Sequence, residues 1–266
     1  MYSTASDLAV VGQSILQSTF LSPTITRRWL KPVTHTSSLT NSVGAPWEIH
    51  RGTANNHVID IYAKSGLIGT YGSMLALIPD YDVGFSVLAA SSNAISESAT
   101  RILSDLITDV LLPALENTAR AQASTNYAGT YISEGAMLNS SLVLTTIAQN
   151  PGLEITKWIQ DGKDILLALA EFEGIGGFED LTMHLYPTNV QRRSGNETHI
   201  TFRAVVEDRK AFIDRGAFSN NCATWYGLGD FDYGSVWLDE FIFSVGEDGY
   251  VLSIEPSILG SVLKRT

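Results

Sequence analysis

The chain has 266 residues and a mass of 28.9 kDa, which is enough for one large domain or two medium ones. Hydrophobic residues make up 44% of it, charged residues 17%, and no apolar run reaches the roughly 18 residues of a membrane helix, so neither a disordered nor a membrane protein is expected. The net charge of −11 excludes nucleic acid as an expected partner, because phosphate binding needs clustered lysine and arginine.

Two helices are predicted at the start of the chain. The stretch STASDLAVVGQSIL reads as the first, with Thr4 as the N-cap and Asp7 closing a capping box three residues later. A second, short helix is predicted over 22–32, where Pro23 suits the first turn and Pro32 ends it. The apolar face predicted for the first helix consists of Leu8, Val11, Ile15 and Leu16.

An antiparallel sheet and a long helix are predicted next. After a polar loop, a strand is expected near 47–50, and the runs HVIDIYAKSG, YGSMLALIPD and VGFSVLAASS follow as a meander. The stretch from Ser96 to Ala121 has the pattern of a long amphipathic helix. Its predicted buried stripe consists of Ile102, Leu103, Leu106, Ile107, Val110 and Leu111.

The pattern changes after about residue 122, beyond a small, polar stretch at 118–125 that has the composition of a linker. Eight short β-like runs follow: YAGTYI, SSLVLTTI, LEITKWI, DILLALA, LTMHLY, HITFRAVV, VWLDEFIFSV and YVLSIEP. Turn residues separate them, which is typical of an antiparallel barrel or sandwich. Trp158, Trp225 and Trp237 are expected in its core. Residues 1–120 carry 7 basic and 9 acidic residues, whereas 121–266 carry 10 and 19, which also favours two parts.

Cysteine, histidine and glycine patterns point to no cofactor and no metal. The single cysteine, Cys222, cannot form a disulfide within the chain, and is either a small buried residue or a thiol whose partner lies elsewhere. The five histidines lack the spacing of a metal site, and the glycine-rich stretches do not match a nucleotide-binding loop. Sequons at Asn139 and Asn196 would be glycosylated only in a secretory compartment. The N-terminus MYSTASDLAV does not have the pattern of a signal peptide, so the localisation stays open.

Four segments in order resemble the back half of the β-lactamase-related serine hydrolases: MYSTASDLAVVGQSIL, TRRWLKP, GAPWEIHR and DIYAKSGLIGTYGSMLALIPDYDVGFSVLAA. That family includes class C β-lactamases, D-alanyl-D-alanine carboxypeptidases and esterase-like relatives. The likeness covers about residues 1–115, and most of the remainder resembles a fungal branch with an extra C-terminal β domain. The implied fold is α+β: an incomplete β-lactamase/transpeptidase-like domain over 1–120, then an all-β, barrel-like (lipocalin-like) domain over 125–266.

The resemblance assigns roles to the stretch Lys64-Ser65-Gly66, which is similar to the third, K-T-G-type motif of the family. Lys64 would supply positive charge that favours a deprotonated tyrosine and attracts a carboxylate, and Ser65 would offer a hydroxyl to the substrate. Gly66 would allow the substrate to approach the backbone, and the N–H of Leu67 would be an oxyanion donor. Trp47 and Glu48 lie where the family lines its cleft, although core packing is an equal alternative for Trp47.

The first two motifs of the family are missing from this sequence. S-x-x-K, which carries the nucleophilic serine, occurs only at Ser261 to Lys264, outside the resembling region, where a chance match is the better explanation. Y-x-N does not occur. Without an activated serine no acyl-enzyme can form, so the chain is expected to be inactive alone. A missing N-terminal half would also carry the signal peptide and a partner for Cys222.

Three functions therefore remain open at this point. The first is a fragment of a serine hydrolase acting on a small-molecule or peptide ester or amide, including a lactam, through an acyl-enzyme. The second is a non-catalytic binding or accessory protein, and the third is an acyltransferase of a biosynthetic pathway. The serine of the third motif does not decide between lactam, peptide and ester substrates.

Overall fold

The computed structural model describes residues 2–92, 95–134, 139–148, 150–176, 178–210, 221–230 and 232–266. The chain divides into two compact units, Met1–Ala119 and Arg120–Thr266. The boundary falls inside one long helix, α3, which runs over Ser96–Asn126. The stretch 118–125, which was predicted as a linker, is therefore helical. In the described part of the chain, no helix combines the length and the apolar character that crossing a bilayer requires.

The first unit contains two short helices, a six-stranded sheet and most of α3. The helices are α1 (Ala5–Leu16) and α2 (Pro23–Trp29). The strands are β1 (Thr34–His35), β2 (Asn41–Val43), β3 (Glu48–Ala54), β4 (His57–Ile68), β5 (Tyr71–Ile78) and β6 (Val83–Ala90). All neighbours pair antiparallel in the order β1-β2-β3-β4-β5-β6. The predicted meander is therefore confirmed, whereas β2 lies in the stretch that was predicted as a polar loop and β1 was not predicted.

The capping interactions at the start of α1 and α2 follow directly from the sequence. The Thr4 hydroxyl accepts a hydrogen bond from the Asp7 backbone N–H at 3.1 Å, and the Asp7 carboxylate accepts one from the Thr4 N–H at 3.2 Å. This is the predicted capping box. The Ser22 side chain caps α2, with Pro23 in its first turn. The buried face of α1 differs from the prediction, because Gly12 is buried and Val11 is exposed.

The predicted buried stripe of α3 is wrong for four of its six residues. Ile102, Leu103, Leu106 and Val110 are exposed, while Ile107 and Leu111 pack against the core. The helix instead buries Ser96, Thr100, Leu112 and Glu116.

Hydroxyl groups explain how a polar helix face can be buried in this unit. The Thr100 hydroxyl donates to the carbonyl of Glu97 at 2.8 Å, and the Ser104 hydroxyl donates to that of Thr100 at 2.8 Å. Because these two hydroxyls are satisfied within the helix, their burial costs little, whereas the buried Ser96 hydroxyl has no hydrogen-bond partner among the described residues. Small side chains also allow close approach: a Cβ on Gly72 of β5 would lie 2.7 Å from the backbone carbonyl oxygen of Ser96.

A buried carboxylate ties α3 to the first residue of β4. Glu116 is 9% exposed, and its Oε1 lies 2.5 Å from Nδ1 of His57. The hydroxyl of Tyr81, from the turn between β5 and β6, donates to the same oxygen. Burial, together with the carboxylate of Glu116, raises the pKa of Tyr81. Two distant segments of the first unit are therefore joined to α3 through one carboxylate oxygen.

The second unit is built almost entirely of strands. These are β7 (Gly129–Ser133), β8 (Ser141–Thr145), β9 (Leu153–Gln160), β10 (Lys163–Asp164), β11 (Leu181–Ser194), β12 (Glu197–Asp208), β13 (Asp232–Tyr233), β14 (Val236–Trp237), β15 (Glu240–Val245), β16 (Val251–Pro256) and β17 (Leu263–Arg265). Its one complete α-helix among the described residues is α4 (Ile165–Glu173), and short 3-10 helices lie at Phe178–Asp180 and Asn221–Gly227.

The strand pairing of the second unit closes on itself. The order β9-β11-β12-β15-β16-β17-β7-β8 returns to β9, because β8 also pairs with β9. Every pairing is antiparallel, and β10 forms a hairpin on the far end of β9. A closed ring of eight strands has an interior that side chains can fill. The fully buried Tyr131, Trp158, Phe241 and Phe243 belong to the core of this unit.

Two of the three tryptophans expected in this core are not part of it. Trp158 is fully buried, as predicted, but Trp225 is 42% exposed and Trp237 is 38% exposed. Trp225 packs against the ring of Tyr186 at a centroid distance of 4.7 Å. Trp237 lies 4.9 Å below the guanidinium of Arg203. Both aromatic rings therefore contact side chains outside the central core.

One predicted strand is a helix. The run DILLALA forms α4, because Asp164 accepts a hydrogen bond from the Leu167 N–H at 3.2 Å and Gly174 ends the helix in the left-handed conformation (φ 68°). Leucine and alanine are strong helix formers, so the caps and the composition agree. The last strand, β17, was not predicted. Its Arg265 donates to the carbonyls of Thr125, Asn126 and Ala128 at 2.8–3.0 Å, which joins the last strand to the beginning of the unit.

Candidate functional site

The third-motif residues lie on the part of β4 that extends beyond its pairing with β3. β3 pairs with β4 only as far as Glu48, which is opposite Ala63. From Lys64 to Ile68, β4 pairs with β5 alone, and no other described strand of this unit lies on the β3 side. The backbone of this stretch therefore has a free edge, which can accept an extended group by strand-type hydrogen bonding.

The side chains of Lys64 and Ser65 meet at one carboxylate oxygen. The Ser65 hydroxyl donates to Oε1 of Glu48 at 2.8 Å, and the ammonium of Lys64 donates to the same atom. Burial alone would raise the pKa of Glu48, but the hydrogen bonds from both residues and the charge of Lys64 outweigh it and hold that pKa below its usual value. Glu48 is therefore ionised at neutral pH and balances the charge of Lys64.

Gly66 and Leu67 follow on the free edge. A Cβ on Gly66 would lie 2.6 Å from the hydroxyl oxygen of Ser73 on β5, so a side chain here would displace that residue. Leu67 is 51% exposed, which leaves this part of the strand accessible. The positions predicted from the family motif are thus contiguous and accessible, and their roles in substrate binding stay a prediction.

An aromatic cluster lies beside Glu48 at the start of β3. Trp47 is buried and packs against Trp29 at a centroid distance of 5.0 Å and against Tyr62 at 6.4 Å. Trp47 is therefore a core residue, which settles the alternative that its position left open. Burial raises the pKa of Tyr62 to about 12, so its phenol is protonated at neutral pH. The cluster fixes the residue that precedes Glu48.

The Glu48 contact is the part of the site that the sequence did not predict. Family position placed Glu48 near the cleft but said nothing of its partners. The register of the two strands could have indicated this contact, because in an antiparallel β3–β4 pair Glu48 lies opposite Ala63, next to Lys64.

The S-x-x-K match near the C-terminus has structural partners. The Ser261 hydroxyl donates to Oε1 of Gln160 at 3.2 Å, and Lys264 on β17 forms an ion pair with Glu134 at 2.8 Å. These contacts agree with the interpretation that this match arose by chance. Across the residues that the structure describes, no group of histidine, cysteine, aspartate and glutamate could hold a metal ion.

The two sequons differ in their settings. Asn196 is exposed and lies in the tight turn between β11 and β12, after Gly195 (φ 61°). Asn139 is also exposed, but it directly precedes the buried Ser140. Glycosylation at either position stays a prediction. The side chain of Cys222 lies outside what the structure describes.

Comparison with known proteins places residues 119–266 in a family model described as "Beta-lactamase-like-like, C-terminal domain". A "Beta-lactamase-like protein" of Arthroderma benhamiae is 30% identical over 288 residues, an alignment that covers 98% of this chain and 48% of the relative. "Probable hydrolase clz13" of Cochliobolus lunatus is 29% identical over 174 residues, or 62% of this chain and 27% of the relative. The chain spans about half the length of the first relative and less of the second.

Among solved structures, the octameric penicillin-binding protein homologue from Pyrococcus abyssi aligns with 98% of this chain and 47% of its own. Its sequence identity is 13% and the TM-score is 0.28.

Proposed function

Because this chain belongs to the beta-lactamase-like family, we propose that its first unit forms one wall of an acyl-enzyme site that acts on ester or amide bonds. The nucleophilic serine and its lysine come from a polypeptide segment other than residues 1–266. The observation that carries this proposal is the placement of Lys64, Ser65, Gly66 and Leu67 on a free strand edge. The relative named as a hydrolase supports the same reaction class.

In this proposal each residue of the wall has a separate task. The serine oxygen forms a bond with the carbonyl carbon, and its proton passes to the base on the same segment. The N–H of Leu67 stabilises the oxyanion that forms, while Gly66 leaves room for the acyl group. The C–O or C–N bond then breaks, the leaving group takes the proton, and water releases the acyl group from the serine. Lys64 holds positive charge beside the reacting centre.

The test combines sequencing with active-site labelling. The transcript that encodes the chain is translated upstream of the Met1 codon, where an in-frame S-x-x-K followed by Y-x-N is expected. Residues 1–266 and the longer product are then incubated with a fluorophosphonate probe and examined by intact-protein mass spectrometry. We expect labelling of the longer product alone.

Two variants make this experiment specific. Leu67→Pro removes the N–H that acts as oxyanion donor, and should slow labelling of the longer product by about 100-fold or more. Ser261→Ala should leave labelling unchanged, because the hydroxyl of this serine is hydrogen-bonded to Gln160. Stoichiometric labelling of residues 1–266 at a serine would contradict the proposal, as would an upstream sequence without the two motifs.

For the second unit, we propose an accessory role based on a lipocalin-like barrel. The closed ring of eight antiparallel strands supports the comparison. The interior is occupied by large side chains, among them Trp158 and Phe241, whose rings are 5.1 Å apart. A filled interior favours a structural or docking role over transport of a small molecule inside the ring.

A further inference from the structure

We propose that Glu48 selects the substrate, so that the site takes uncharged ester or amide groups and rejects those with a carboxylate beside Lys64 and Ser65. This inference rests on the proposed function, because it names the substrate class of the same wall. Neither the motif nor the relatives decide which substrate class the wall binds, since serine in the third motif is compatible with lactam, peptide and ester substrates.

The geometry supplies the reason. Lys64 and Ser65 are the two side chains of the wall that could bind a substrate carboxylate, and both already donate to Oε1 of Glu48. The Glu48 carboxylate thus occupies the position that an anionic substrate group would need. Its side chain and that of Lys64 are partly exposed (37% and 46%), so the pair borders the accessible edge.

The charges at this position sum to zero. A second carboxylate would have to displace Glu48 or lie beside it, and two like charges within a few ångströms repel each other. An uncharged carbonyl meets no such repulsion. The ammonium of Lys64 has three donors and Glu48 holds one of them, so donors remain for a neutral acceptor.

The first experiment uses residues 1–266 and needs no catalytic activity. Sodium acetate is titrated at constant ionic strength into wild type and Glu48→Gln, while NMR follows the Lys64 side chain and the Ser65 amide. We expect acetate to perturb these signals in Glu48→Gln with a Kd about tenfold lower than in wild type. Asp60→Asn is the matched control, because Asp60 pairs with Arg51 across the same two strands at 3.0 Å. It should respond to acetate as wild type does.

The second experiment uses whichever form of the protein the fluorophosphonate probe labels. Hydrolysis of 4-nitrophenyl hexanoate is compared with that of mono-4-nitrophenyl adipate, which differs by a terminal carboxylate. Wild type should have the higher kcat/KM for the hexanoate, and Glu48→Gln should reduce the ratio about tenfold. Asp60→Asn should keep the wild-type ratio.

The outcomes separate this inference from the proposed function. Equal acetate affinity in wild type and Glu48→Gln, or an unchanged ester ratio, overturns the role of Glu48. If no form of the protein is labelled and neither ester is hydrolysed, the proposed function fails, and the acetate titration alone decides whether Glu48 excludes a carboxylate.

Discussion

His184 on β11 is a histidine that the fold keeps away from water. It is 4% exposed, and neither ring nitrogen has a hydrogen-bond partner among the described residues. Its surroundings include Glu154, whose carboxylate accepts a hydrogen bond from Arg209 at 2.7 Å. Burial lowers the pKa of His184, and the charge of Arg209 lowers it further, while Glu154 opposes both.

This burial makes stability depend on pH. Since the pKa is lower in the folded state than the ordinary value near 6.5, the unfolded chain binds the proton more readily as the pH falls below about 6.5. The free energy of unfolding of wild type should therefore decrease from about pH 7.5 to about pH 5, by about 1.4 kcal/mol for each unit of pKa difference. His184→Leu should lose that dependence, as measured by urea unfolding at both pH values.

His199→Gln is the control for this prediction, because His199 is partly exposed on β12. It should keep the wild-type dependence on pH. An equal decrease in His184→Leu and wild type would show that other groups determine the acid sensitivity.

At the same scale, the sequence identified the residues of the candidate site but not their interactions. Lys64, Ser65 and Gly66 could be recognised because they are consecutive in the sequence and together form a short family motif. Glu48 could not be assigned a partner, because its contact with residues 16 and 17 positions later depends on where β3 begins and on its register with β4. Register across a hairpin is set by tertiary packing and turn geometry, which residue types alone indicate weakly.

Helix α3 shows where reasoning from hydrophobicity fails at the scale of an element. The periodicity correctly predicted a helix, but the face with the most leucine and isoleucine is largely exposed. The buried face of α3 combines the hydroxyl-bearing Ser96 and Thr100 with Leu112 and Glu116, and Gly72 leaves room for the backbone of Ser96 to lie close to β5. Helix α4 shows the opposite error, since an apolar run read as a strand carries an N-cap at Asp164 and a terminating glycine.

Gly72 provides a test of this close packing. In Gly72→Ala the new Cβ would meet backbone atoms of Ser96 at 2.7 and 2.9 Å, and backbone cannot move aside as a flexible side chain can. The substitution should lower the free energy of unfolding by about 1–3 kcal/mol, measured by chemical denaturation. Gly176→Ala is the control, because among the described residues beyond its chain neighbours nothing lies within 4 Å of the added Cβ, and it should change stability by less than about 0.5 kcal/mol. Full stability in Gly72→Ala would mean that α3 does not pack this closely.

At the scale of the whole molecule, the change of sequence pattern after residue 122 was the best guide. Alternating apolar residues and frequent turns predicted an all-β part, and seven of the eight β-like runs contain strands of the second unit. The strand pattern alone left a barrel and a sandwich open, because closure depends on β8 and β9 pairing while β9 also pairs with β11. No single strand carries that information.

The two units should behave differently when they are expressed separately. Residues 119–266 should unfold cooperatively and stay monomeric, since a closed sheet has no free edge and the core is filled. Residues 1–119 should self-associate, because their sheet is open and Leu67, Ile68 and Tyr71 are exposed on it. Size-exclusion chromatography with light scattering, together with thermal unfolding, measures both. A non-cooperative melt of residues 119–266 would contradict this expectation.

The hydrogen bonds of Arg265 have a consequence for how the second unit can be transferred between proteins. Its guanidinium holds the strand at 263–265 against the backbone at 125–128, so the entrance and the exit of the second unit are neighbours. A module with adjoining ends can be inserted into a surface loop of another protein without stretching its host. It can equally be cut open at a turn and rejoined through a short linker, and this geometry suits it for use as a fusion partner.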